Sequence, residues 1–344
     1  MSTTAVTAPL SGGRRFSDRF GDRALFGLTA GASFATVVLI ALIIYQIVHG
    51  AVPAMSKYGL GFLVHDTWNG STIFGGGATI FGTLVTSAGA LLIAAPLGIA
   101  IGLYLSQLTS ARTAAVIGPL VELLAAVPSV IVGLWGIVVL EPIMRSTIEP
   151  ALHNVLGFIP LFGAASSSGA GIFTGIVILA IMALPIIAAI TRDLFLTVPS
   201  ELKDGALALG STRWEMVRGV VLASMRPGIA SACILGAARA LGEAIAVLQV
   251  VGYVFQAHPN LFDNGVTLAS VMANDATSNN TTLETASVFY LGVILLVIEL
   301  LVNLGAQAIV RHYRLPSVTG GAAQTEPRRT VDVGAAATAI DVDM

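Results

Sequence analysis

Six apolar runs set the pattern of this chain, at about 24–48, 79–106, 116–140, 171–191, 220–251 and 286–310. A helix crosses a bilayer with about 20 apolar residues, and each run is that long. Polar connections lie between them at 49–78, 107–115, 141–170, 192–219 and 252–285. The fifth run exceeds one span and contains Gly236 and Gly242, so a tilted or broken helix is predicted there. The pattern predicts an all-α, polytopic membrane protein with six transmembrane helices. Its plan is an N-terminal segment over 1–23, a membrane domain over 24–312 and a low-complexity tail over 313–344, which has little to bury.

Composition agrees. Mean hydropathy is +0.87, 55% of the 344 residues are apolar and only 10% are charged, where a soluble domain carries about a quarter. The single cysteine, Cys233, lies inside an apolar run; it excludes a disulfide within the chain and reads as a small packing residue. Arg14 and Arg15 precede the first run, but the run is long and no small-residue cleavage pattern follows it, so it reads as a retained span. Charge then gives a direction. Of the 17 basic residues, thirteen fall in the termini and the 107–115 and 192–219 connections. Only Lys57 and Arg145 fall on the other side, and Arg226 and Arg239 lie within the fifth run. Because positive residues stay inside, both termini are predicted to be cytoplasmic.

The most informative polar stretch is 201–223, ELKDGALALGSTRWEMVRGVVLA. Pro199 and Ser200 offer a helix start with a serine cap. Leu202, Ala206, Ala208 and Leu209 can form a small apolar face, and Gly205 and Gly210 permit a sharp turn between two short helices. Trp214 is an aromatic anchor of the kind that fills a pocket on a partner. The plainer alternative is an amphipathic helix resting on the membrane surface. The order Asp204-Gly205-Ala206, three residues, Gly210, nine residues, Val220-x-Leu222 resembles the EAA loop of ABC importer permeases, where a membrane subunit meets its ATPase. Asp204 stands at the motif's Glu, Gly205 at its first Ala, and Ala223 at its final Pro.

Arg239-Ala-Leu-Gly-Glu243 places two charges four residues apart in the fifth run, on one face of a helix, where they can pair. Charge at bilayer depth is costly and faces a bundle interior or a water path. Either Arg239 helps an oxyanion through, since guanidinium suits phosphate geometry, or the pair locks helices together. Glu122 precedes Pro128-Ser129 and Gly133-Leu134-Trp135-Gly136, a stretch suited to a kinked or broken helix beside a pathway. Glu299 and Asn303 share a face of the sixth run and are expected to make interhelical hydrogen bonds. His49, His65, His153 and His258 are scattered without metal-ligand spacing. No G-x-x-x-x-G-K-[ST] occurs, so no P-loop is present.

Taken together, these stretches resemble the C-type membrane subunit of the bacterial phosphate-specific (Pst) ABC importers. The resembling pieces are Phe74–Leu84, Glu122–Gly136, Ala206–Arg218 and Gly236–Val247, within roughly residues 24–312. The resemblance implies a type I ABC importer permease fold in the bacterial inner (cytoplasmic) membrane, importing inorganic phosphate without being an enzyme itself. It implies a heterodimer with an A-type permease, two copies of an ABC ATPase subunit and an extracytoplasmic phosphate-binding protein. ATP and Mg would sit on the ATPase, with no cofactor on this chain. It makes Arg239, Glu243 and Glu122 candidate pathway residues, and Asp204, Gly205, Ala206, Gly210, Arg213, Trp214 and Glu215 candidate ATPase-coupling residues. Competing readings are a permease for another oxyanion such as sulphate or molybdate, an ion-gradient-driven secondary transporter, and a membrane-embedded enzyme. A secondary transporter needs no helical coupling loop, and no nucleophile–base or metal cluster supports an enzyme.

Overall fold

Long apolar runs become long helices in the computed structural model, which describes residues 16–69, 73–276 and 281–312. The predicted terminal segments fall mostly outside these residues. Helix α1 (Phe16–Tyr58) ends in a 3-10 turn over Gly59–Leu63. A two-residue antiparallel ribbon, β1 (Trp68–Asn69) with β2 (Ile73–Phe74), turns the chain back into α2 (Gly77–Leu103). A π-helical turn, Tyr104–Leu108, follows, and the Ser110 side chain caps α3 (Ala111–Ala125).

The third apolar run is not one helix. α3 stops before Pro128, because proline's ring disfavours helical backbone in the preceding residue. The membrane-length segment starts at Ser129 instead and runs to Leu156. It comprises α4 (Ser129–Trp135), α5 (Glu141–Ile143) and α6 (Glu149–Leu156), joined by π-helical turns over Gly136–Leu140 and Met144–Ile148. Pro142 and Pro150 follow those turns, whose wider ring tolerates a residue without an N–H. Half of the polar connection expected over 141–170 is therefore helix.

α7 (Ile172–Leu196) is the central element. Gly89 and Gly98 bring α2 so close that a β-carbon there would stand 2.8 and 2.9 Å from Ile176 and Ile187. Small residues give such contact where lipid is as apolar as the side chains and burial drives little. After α7 come α8 (Ser200–Ala208) and α9 (Arg213–Met216), a π-helical turn over Val217–Val221, and α10 (Leu222–Ser224). α11 (Arg226–Leu241), α12 (Ile245–Val251), α13 (Leu268–Asp275) and α14 (Thr282–His312) complete the described residues. Among the described residues five segments are long and apolar enough to cross a membrane, and Arg213–Ser224 with Arg226–Leu241 makes a sixth bent by 69°. The expected fifth span over 220–251 is thus cut twice, beside Pro227 and again at 242–244. Gly236 makes no break; it packs on Ile187.

The Tyr290 hydroxyl donates to Gly59 O at 3.0 Å, tying the start of α14 to the end of α1. The two helices are therefore antiparallel, and the described termini lie at one end of the molecule. The far end is knit by backbone: Gly76 N–H to Phe62 O at 2.6 Å, Phe173 N–H to Leu261 O at 2.7 Å and Gly265 N–H to Val251 O at 2.9 Å. Tyr253, at φ 55°, donates to Asp275 Oδ1 at 2.6 Å. Burial, and then that bond, pushes its phenol above the usual range, so it stays a donor. The near end holds Arg112, Arg192, Lys203, Arg213 and Arg218.

Candidate functional site

α11 ends at Leu241; Gly242 N–H bonds to Ala238 O at 3.2 Å, residues 243 and 244 are not helical, and α12 restarts at Ile245. Arg239 and Glu243 meet across this break, Nη1 to Oε2 at 3.0 Å. The expected pairing is present, but not on one continuous helical face. Oε1 of Glu243 accepts the Ala246 N–H at 3.3 Å, so the carboxylate holds the start of α12 as well as the guanidinium. Glu243's side chain is 4% exposed and Arg239's 41%. The acid is fixed inside the fold, while the arginine side chain is partly open. A cation steadied by one buried partner can meet an oxyanion without holding it as tightly as a free charge would.

The structure does not bring Glu122 to this pair. Glu122 Oε1 accepts from Arg192 Nη2 at 2.7 Å, and the same guanidinium reaches Asp193 Oδ1 at 2.8 Å. No sequence signal marks this clasp of α3 to α7, since the partners lie 70 residues apart. Glu299 and Asn303 do not make the expected interhelical bonds. Asn303 Oδ1 accepts from Gln307 within α14 at 3.1 Å, and among the described residues Glu299 has no hydrogen-bond partner. With Ile234, Ala238 and Leu241 they line a cavity of about 120 Å³ beside the break.

At the near end, α8 and α9 form a helical hairpin. Gly210, at φ 87°, lies where α8 stops. Gly210 N–H bonds to Leu207 O at 3.0 Å and Ser211 N–H to Ala206 O at 3.2 Å, the paired bonds of a Schellman ending that needs a left-handed residue. Thr212 then starts α9. Its hydroxyl accepts the Glu215 N–H, while Glu215 Oε2 accepts the Thr212 N–H at 2.8 Å. This capping box was legible as T-x-x-E, and it gives Glu215 a local role that the coupling motif alone did not supply. The proposed Ser200 cap is absent; Pro199 holds that position without a side-chain bond.

The expected apolar face of α8 divides in two. Ala206 packs on a small core of Phe195, Val198, Met216, Val217 and Val221, whereas Leu202 and Leu209 point outward. Leu209 is 90% exposed and Trp214 62%. Asp204, Gly205, Gly210, Arg213 and Glu215 are exposed beside them. The hairpin is thus a braced platform with an apolar rim that this chain leaves uncovered.

Residues 94–315 match the family of binding-protein-dependent transport system inner membrane components. The chain belongs to that family. It is an inner-membrane subunit of an ABC importer, a class that works with an ATPase and a substrate-binding protein. The phosphate transport system permease protein PstC of Mesorhizobium japonicum is 40% identical over 294 residues, covering 84% of this chain and 89% of that protein. PstC of Pasteurella multocida is 37% identical over 77% of this chain and 84% of its own length. The probable PstC of Methanocaldococcus jannaschii is 34% identical over 83% and 93%. A crystal structure of a bacterial alginate ABC transporter contains a chain with the same fold, at TM-score 0.58 and 17% identity, covering 87% of this chain and 98% of that one. These relatives are transport subunits rather than enzymes.

Proposed function

We propose that this chain is a membrane-spanning subunit of an ATP-driven importer of inorganic phosphate. The observation that carries the reading is the break at 242–244, where buried Glu243 presents Arg239 as a half-exposed cation between the mainly small and apolar residues of α11 and α12. The names of the relatives support phosphate over sulphate or molybdate. The chain pairs with an A-type permease, and two ATPase subunits take the α8–α9 hairpins. ATP and Mg reside on those subunits, and a phosphate-binding protein docks on the end opposite the hairpin. Both termini are cytoplasmic. Arg239 contacts the passing anion, with Glu243 restraining its affinity; Glu122 acts through Arg192 at the near end of the route.

The double variant Arg239→Gln, Glu243→Gln tests this. Removing Arg239 alone strands the buried Glu243 charge and destabilises the fold, whereas the double change restores neutrality and puts a neutral amide where the guanidinium cation stood. The complex is expected to assemble, to hydrolyse ATP when loaded binding protein docks, and to move no phosphate. Normal uptake would make the pair purely structural.

A further inference from the structure

Beyond the break, α12 runs towards the far end and packs on α4 through two glycines. A β-carbon at Gly136 would stand 2.7 Å from Val250, and one at Gly133 would stand 2.9 Å from the Ala246 Cα and collide with the Gln249 carboxamide. Gln249 therefore occupies the space that the missing Gly133 side chain leaves. Its Oε1 is sealed from solvent without a hydrogen-bond partner, while its amide nitrogen, also without a partner among the described residues, is not sealed off. A carboxamide carries two donors and an acceptor, and a buried polar group without partners costs about 1–3 kcal/mol. Packing alone gives no account of it; a leucine would fill the same space without that cost.

We propose that Gln249 is a second anion-contacting residue, which donates its amide N–H groups to the oxyanion on its way to Arg239. Three features carry this. The amide is unsatisfied in the chain. It lies on the helix that Glu243 anchors through the Ala246 N–H. It stands three residues beyond Ala246, about 4.5 Å along α12 at 1.5 Å per residue, towards the end where, on the importer reading, the binding protein delivers its load. A neutral donor there offers a desolvated oxyanion hydrogen bonds without a second full charge to trap it. The inference rests on the importer reading and names a further residue for that same passage.

The test uses the full importer in proteoliposomes with its binding protein, measuring phosphate taken up per ATP hydrolysed. Sulphate and molybdate uptake by the wild type decides separately whether the phosphate reading holds. The variants are then scored on whichever of the three anions the wild type moves. Gln249→Leu is expected to lower anion moved per ATP about tenfold, as loss of a hydrogen bond to a charged group implies. Gln249→Glu, which repels the anion, is expected to abolish uptake, and Gln249→Asn to recover part of it. A ratio for Gln249→Leu within twofold of wild type would overturn the proposal, as would an active Gln249→Glu. So would equal losses in the Leu and Asn variants with a matching fall in assembled complex, the mark of a packing role.

Discussion

Two arginines show what a single residue's surroundings decide. Arg239 and Arg192 both hold a carboxylate within 3.0 Å, yet they do different work. Arg239's partner is buried and the guanidinium side chain is partly open, the setting in which it is proposed to meet the anion. Arg192 is the reverse: its side chain is 18% exposed, it serves Glu122 and Asp193 together, and Glu122 is 52% exposed. An exposed carboxylate contributes little, under about 1 kcal/mol, so Glu122→Gln is expected to shift the melting temperature of the purified protein only slightly. Gly118→Ala is expected to cost little as well, because its β-carbon would stand 2.6 Å from the movable end of Arg192 while alanine favours the helical backbone of α3 by about 1 kcal/mol. Thermal unfolding in detergent measures both; a large loss in either would show that the clasp has been read wrongly. The Arg239–Glu243 pair was legible because its members are four residues apart. Arg192 with Glu122 was not, because nothing local links two helices that meet only in the fold.

At the scale of elements, the α8–α9 hairpin depends on how its two short helices end and begin. Gly210 is open on all sides, so size is not its constraint; its φ of 87° is. A β-branched residue is strained in that conformation, at roughly 1–2 kcal/mol, and would re-aim α9 and Trp214. Gly205 is equally open but lies within α8 at ordinary helical backbone, where alanine is favoured by about 1 kcal/mol. Gly210→Val is therefore expected to abolish ATP hydrolysis stimulated by the binding protein, while Gly205→Ala keeps it. Equal activity in the two would reduce the hairpin to a surface helix. The turn and its glycine were visible in the sequence, since spacing within one loop is local information. The four π-helical turns and the starting point of the third membrane segment were not. Prolines at 128, 142 and 150 mark where the helix must adjust, but whether it breaks, as before Ser129, or widens, as at 136–140 and 144–148, depends on what packs against it. The sixth span shows the same limit. Pro227 and Gly242 announce trouble, and only the fold sets the 69° bend at one and the Arg239–Glu243 junction at the other.

The whole molecule has two unlike ends, and their difference bears on orientation. The end formed by 104–122 and 192–226 carries Arg112, Arg192, Lys203, Arg213, Arg218 and Arg226. The opposite end, built from 59–69, 73–76, 157–171 and 252–267, has no lysine or arginine in those segments. It is closed instead by backbone hydrogen bonds and by stacked aromatics such as Trp68 on Phe255, centroids 5.2 Å apart. Charge segregation of this kind predicts that the basic end is cytoplasmic, the side on which the proposed ATPase contact with Leu209 and Trp214 requires it. One experiment tests both ends together. In a Cys233→Ala background, Leu209→Cys and Ser167→Cys each place a thiol at an exposed site, one at each end. A membrane-impermeant maleimide should label Ser167→Cys in right-side-out vesicles and Leu209→Cys only in inside-out vesicles. The opposite pattern would invert the molecule and take the hairpin away from any cytoplasmic ATPase. Labelling of both thiols from one side would break the antiparallel arrangement of spans itself. The vesicles carry the permease without its ATPase, which on the proposed reading would cover Leu209 and block its labelling.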